Sequence, residues 1–216
     1  MDSFSNSFNS KNTSAKELIR KNIRHALASK NREPLPNIDV NQPLFAPIDE
    51  PLKEFVDNFR KQGGRCLLSD KEQFLNNVEK FIQSQGYNAI LCTINYIADH
   101  LRAKKISFQN VINANYNADL AIIYAESLIA RSGSLLFTQK HSLYPSVKNL
   151  AKDLLIISFT SNVVPDVKHA LANTRKNEPT GQLPICEIVL PTKLEKLENK
   201  EEYTPISPRF NLILIY

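Results

Sequence analysis

Between Glu126 and Thr138 the chain reads ESLIARSGSLLFT, with apolar residues flanking a small polar centre, Arg131-Ser132-Gly133-Ser134. A serine-glycine-serine run leaves backbone N–H groups uncovered by bulky side chains, and glycine permits positive φ. Consecutive exposed amides form a concavity that holds anions, and the Arg131 guanidinium and two hydroxyls would add donors to it. Glu126, just upstream, has the chemistry of a general acid or base. The residues also admit a plain structural explanation, in which Gly133 marks a bulge or tight bend between two hydrogen-bonded strands. Both explanations stand on the residues alone.

Other catalytic patterns are missing. The chain has no GxGxxG, no Walker-type loop, no GxSxG elbow and no HExxH. Its four histidines, at 25, 100, 141 and 169, keep no ligand spacing. Glu201-Glu202 lies in the charged run KLEKLENKEEY, which reads as a solvated surface. Cys66, Cys92 and Cys186 are far apart and make no CxxC, so neither a zinc site nor an iron–sulfur cluster is expected, and no cofactor is called for. Each cysteine sits in a strand-like apolar run, where a thiol behaves as a small hydrophobe, and this favours a reducing, cytoplasmic compartment.

A chain of 216 residues with 42% hydrophobic content suits one sizeable domain with appendages. The net charge of +5 is mild and its acidic residues are interspersed, so no nucleic-acid partner is expected. The N-terminus lacks an apolar signal region, and the longest apolar run, near 154–159, is too short to span a bilayer, so no membrane is expected either.

Local patterns outline the elements that would carry the polar centre. Residues 1–13, rich in Ser and Asn, read as a disordered N-terminus. Ser14 to Glu17 has capping-box form and heads a helix with Leu18, Ile19, Ile23, Ala26 and Leu27 at helical spacing. Lys16, Arg20, Lys21 and Arg24 occupy its other face, and such a helix is expected to pack on its own domain or on a second subunit. Prolines 34, 36, 43, 47 and 51 make the adjoining stretch an extended arm, so 14–50 forms a helix plus a Pro-rich arm. From 51 to 216 strands and helices alternate. Helices are expected from Pro51 to Gly63, from a second capping box at Ser69–Glu72 to Gly86, at 94–102 and at 165–172. Strands are expected at 65–68, 88–93, 111–113, 128–137, 154–159, 185–190 and 211–216. This alternation argues for an α/β sheet layered with helices on both faces.

The run ADLAIIYAESLIARSGSLLF, from Ala118 to Phe137, resembles the signature of the LUD-domain family, which includes the lactate utilization protein C (LutC) proteins. Asp119, Glu126, Ile129, Ala130, Arg131, Ser132, Gly133 and Ser134 match position by position, with Ser132 where threonine is usual. Leu143, Pro145, the strand at 154–159 and the Val164–Leu171 segment are similar to the next stretch of the family pattern. The chain departs from that pattern at Ile123-Tyr124, where Thr-Gly is usual, and lacks the late Gly-Pro-Ser/Asp-Ile-Glu motif. Cys186-Glu187-Ile188 and Pro208-Arg209 stand nearest to it.

The resemblance implies a fold like the NagB/RpiA/CoA-transferase group and a role in lactate utilization beside iron–sulfur partner proteins. It marks Glu126 as the catalytic candidate, and Arg131, Ser132, Gly133, Ser134 and Asp119 as ligand-binding candidates. Two further readings stay open. One is an independent enzyme on a small carboxylate or phosphate, in which Glu126 moves a proton and Arg131 with Ser132–Ser134 holds the anion. The other is a degenerate interaction module without catalysis. The docking arm makes a homodimer the expected assembly.

Overall fold

The apolar runs rich in Leu and Ile form an open sheet whose two faces are both covered. The structure is a computed structural model and describes residues 7–28, 46–110, 118–138, 146–191 and 208–216. Within its first helix, side chains are described from Ala15 to His25. The chain divides into two units, Met1–Ala46 and Pro47–Tyr216.

In the first unit the described element is helix α1 (Ser7–Ala28). It begins seven residues before Ser14, so the Ser14–Glu17 box lies inside the helix and residues 7–13 are helical rather than disordered. Serine and asparagine are only modestly poorer helix formers than alanine, and extending an existing helix gains one hydrogen bond per residue.

The second unit alternates as expected. Helix α2 (Pro51–Lys61) starts on its proline, whose missing N–H has no partner to lose at that position. Strand β1 (Arg65–Ser69), helix α3 (Phe74–Gln85), strand β2 (Ile90–Cys92) and helix α4 (Asn95–Ala103) come next. The second capping box does not cap α3, whose N-cap Gln73 makes no side-chain cap bond; the bond at this corner lies in the turn before the helix. Asp70, not Ser69, accepts the backbone N–H of Gln73 at 2.6 Å, because Ser69 is spent as the buried last residue of β1. Strand β3 (Ala118–Tyr124) runs into strands β4 (Ser127–Ile129) and β5 (Ser134–Thr138). Then come β6 (Ala151–Phe159), β7 (Val163–Val164), helix α5 (Val167–Lys176), β8 (Cys186–Val189) and β9 (Arg209–Ile215). The strand expected at 111–113, the Leu143–Pro145 segment, most of the proline-rich arm and the charged run at 193–203 lie outside the described residues.

Among the described residues, five strands form a parallel sheet in the order β1-β9-β6-β3-β2. Its strands alternate cleanly between two cores. Ala121 and Ile123 of β3, Leu154 and Ile156 of β6, and Phe210, Leu212 and Leu214 of β9 face one core together with Phe55 and Phe59 of α2. Leu120 and Ile122, Leu155 and Ile157, and Ile213 and Ile215 face the other, with Val78 and Ile82 of α3 and Ile97 and Leu101 of α4. The fold class is therefore α/β, a parallel sheet layered with helices on both faces.

The region expected as one strand over 128–137 is instead a hairpin, and it belongs to a second sheet in the order β7-β4-β5-β8. The polar centre is the turn between β4 and β5. Arg131, Ser132 and Gly133, the glycine at positive φ, reverse the chain, and Ser134 resumes it as the buried first residue of β5.

Helix α5 shows how a local signal holds up. Asp166 is its N-cap and accepts the backbone N–H of His169 at 3.0 Å, while the His169 imidazole lies 2.8 Å from the same oxygen. The backbone N–H of His169 first, then its imidazole, hold the Asp166 carboxyl below the usual carboxylate range. A folded-state pKa below the unfolded one means the cap is fully effective above about pH 4 and is lost as pH falls through the lowered value. Asp166→Ala should cost about 1 kcal/mol at neutral pH. Urea titrations of both proteins should converge below about pH 4, and a constant gap down to pH 3 would refute the assignment.

Candidate functional site

The six candidate residues separate into three places. The turn comes first. Gly133 has φ +66°, and its N–H donates to Ile129 O at 2.9 Å, closing the loop. The N–H of Ala130 donates to Val164 O at 2.8 Å and that of Arg131 to Pro165 O at 3.1 Å, tying the turn to the segment before α5. Ser132 Oγ and Ser134 Oγ are 2.5 Å apart and bonded to each other. Of the amides imagined as an anion cradle, those of Arg131 and Gly133 thus serve the turn itself.

The residue that seats the turn is Asn58 of α2. Its side-chain amide donates to Ala130 O at 2.9 Å and to Arg131 O at 3.2 Å. Asn58 went unnoticed in the sequence, although a signal was there. It adjoins Phe59 on the buried side of an amphipathic helix, where an amide needs partners. The turn packs so closely on α2 that a Cβ built on Gly133 would lie 2.5 Å from the carbonyl carbon of Asn58 and the nitrogen of Phe59.

Glu126 is elsewhere. It immediately precedes β4, just past the carboxyl end of β3 and at the open end of the hairpin, while Arg131 lies in the closed end. Along extended chain that separation is on the order of 13 Å or more. The partner of Glu126 is Thr138, whose backbone N–H donates to Oε2 at 2.8 Å and whose hydroxyl donates to Oε1 at 2.5 Å. Its neighbours are Tyr124 and Cys186. Burial pushes the Tyr124 phenol up, and the Glu126 charge adds to that. Burial likewise raises the Cys186 thiol, followed by the Glu126 and Glu178 carboxylates.

Around Glu126 the carboxyl edges of β3 and β6 carry a connected polar group. Asn162 donates to the Tyr124 hydroxyl at 2.7 Å and to Ser158 Oγ at 3.2 Å, and Ser158 donates to Ala125 O at 2.8 Å. Phe159 packs obliquely on the Tyr124 ring, with centroids 6.4 Å apart. In open α/β sheets ligands sit at this edge. Glu187 of β8 receives Ser146 Oγ and, at 3.0 Å, the N–H of Val147, fastening the segment that leads into β6.

Asp119 stands at the opposite edge. It is the second residue of β3, about 17 Å from Tyr124 along the strand. Lys152 bonds it at 3.0 Å and the N–H of Ala89 at 3.2 Å. The Lys152 bond, then the backbone bond, hold its carboxyl below the usual range. Nearby, Asp153, 1% exposed, takes a two-pronged ion pair from Arg209 and the Tyr87 hydroxyl at 2.7 Å. This amino-terminal edge is a charged clamp between strands.

The thiols act as apolar filler where they are enclosed. Burial pushes Cys66 and Cys92 up to about 11. Among the described residues, no group of three or more His, Cys, Asp or Glu side chains is placed to hold a metal ion.

No family model matches the chain, and no curated protein does. The architecture is shared with a solved structure. The crystal structure of a DUF162 family protein from Deinococcus radiodurans superposes with a TM-score of 0.59 at 12% identity, covering 79% of this chain and 100% of that one. At that identity the likeness shows the fold, a layered α/β sheet the two proteins have in common.

Proposed function

We propose that this protein is a LUD-domain protein of the lactate utilization protein C kind. It takes part in the use of lactate or a similar small organic acid beside iron–sulfur partner proteins, in the cytoplasm. DUF162 is the LUD-domain family, so the solved neighbour and the residue match from Asp119 to Ser134 point the same way. The observation that carries the reading is the placement of that signature. It leaves the carboxyl end of β3 with Glu126 at the sheet edge where ligands bind, and then turns back through Arg131–Ser134 against α2.

In this reading Glu126 is the acid or base at the ligand, oriented by Thr138, and the ligand is a small carboxylate or its phosphate analogue. Arg131, Ser132, Gly133 and Ser134 support it as a frame joined to α2, and Asp119 supports it by fixing the far end of β3. The interaction-module alternative draws on one observation. The amide of Gly133 closes the turn and that of Arg131 bonds Pro165 O, so neither points at a ligand.

Disrupting the gene should abolish growth on lactate while sparing growth on glucose, and unimpaired growth on lactate would sink the proposal. At the protein level, lactate or pyruvate should raise the thermal midpoint. Glu126→Gln should remove that response while changing the stability of the unliganded protein by about 1 kcal/mol or less, since an amide oxygen still accepts one Thr138 bond. A ligand response untouched by Glu126→Gln would place the site elsewhere.

A further inference from the structure

Helix α1 is a cationic amphipathic helix of 22 residues, about 33 Å long. Within its own unit every side chain described in it, from Ala15 to His25, is exposed, Leu18, Ile19 and Ile23 among them. Ile19 and Ile23 stack one turn apart, with Leu18 beside them. Lys16, Arg20 and Arg24 form a row at the margin of that apolar stripe, also one turn apart. Glu17, Arg20, Lys21, Arg24 and His25 line a shallow groove on the polar side. Four permanent cations therefore stand against one carboxylate between Ala15 and His25.

We infer that α1 is a surface anchor that lies along an anionic lipid membrane. Charge complementarity selects this occupant. A helix with an apolar stripe and Lys/Arg at its margins lies in the interface, the stripe reaching the acyl boundary and the long cationic side chains extending to phosphates. No helix among the described residues is long and apolar enough to cross a membrane, so the helix rests on the surface. A second copy is a poor occupant, because joining two such stripes would set the Lys16-Arg20-Arg24 margins of both copies together. A nucleic acid would use the cations but give no reason for Leu18, Ile19 and Ile23 to be exposed. The apolar stripe is modest and carries no aromatic residue between Ala15 and His25, so attachment is led by charge and reversible by salt.

The test is flotation of the full chain with phosphatidylcholine vesicles, with and without roughly one third phosphatidylglycerol. The chain should float with the anionic vesicles only and be released as salt shortens the screening length to about 3 Å near 1 M. Each cation near such a surface contributes roughly fivefold to partitioning, so Arg20→Ala/Arg24→Ala should lower it roughly 25-fold. Ile19→Ser/Ile23→Ser should lower it as well. Failure to float, or equal flotation with uncharged vesicles, would overturn the inference. So would tight RNA or DNA binding that ignores the isoleucine change, or a dimer in sedimentation that the isoleucine change dissolves.

Discussion

Gly133→Ala is expected to destabilise the second unit by about 3–4 kcal/mol, a drop in Tm of roughly 10 °C for a unit of this size. Two causes add. A side chain at φ +66° meets the left-handed penalty of about 1–2 kcal/mol. The new methyl would also lie 2.5 Å from backbone atoms of Asn58 and Phe59 and 2.9 Å from Asn58 O. Backbone inside a helix cannot swing aside like a side chain, so the turn must lift off α2, and overpacking of this kind costs about 1–3 kcal/mol. Gly86 supplies the control. It has φ +64° and nothing within 4 Å of a built Cβ, so Gly86→Ala should cost only about 1 kcal/mol. Urea unfolding of the two variants separates the causes, and equal losses would show that the contact with α2 contributes nothing.

Asp153→Ala is expected to cost about 2–4 kcal/mol. Asp153 begins the buried part of β6, and strand register sets it beside Arg209 of β9. Its carboxylate is 2% exposed and receives Arg209 on both oxygens, with Tyr87 donating from the segment before β2. Removing one member of a buried pair normally costs about 3–5 kcal/mol, because the partner is left charged and enclosed. Arg209 is half-exposed here, and water can take over part of its solvation, which lowers the figure. A double-mutant cycle with Arg209→Ala should show coupling of at least about 1 kcal/mol, and Tyr87→Phe should cost about 1 kcal/mol by itself. Additive losses would mean that the strands are held by packing alone.

These two sites differ in how far the residues announced them. Glycine between two serines in a glycine-poor chain is a visible punctuation mark, and a tight bend between strands was one of its two readings. The clamp was not visible. Nothing local links Tyr87, Asp153 and Arg209, because they meet only when β6 and β9 pair in one register. The Ser14 and Ser69 boxes were found by pattern and placed wrongly for related reasons. A capping motif competes with whatever precedes it, with a helix that has already begun in one case and a buried strand end in the other.

Periodicity and punctuation were enough for the kinds of element, most of their order and the α/β class, because they depend on neighbours three or four residues away. The partition of strands into two sheets did not come from them. A buried strand reads as the same apolar run in either sheet, and pairing is decided by side chains far apart in sequence. The same limit governs the site. Arg131, Ser132 and Gly133 form the turn and Ser134 begins β5 directly after it, so their grouping was legible. Glu126 looked like their companion because it is near in sequence. A hairpin sends its two ends apart, and the fold gives Glu126 to Thr138, Tyr124 and Cys186 at the sheet edge while Asn58, from a distant helix, holds the turn.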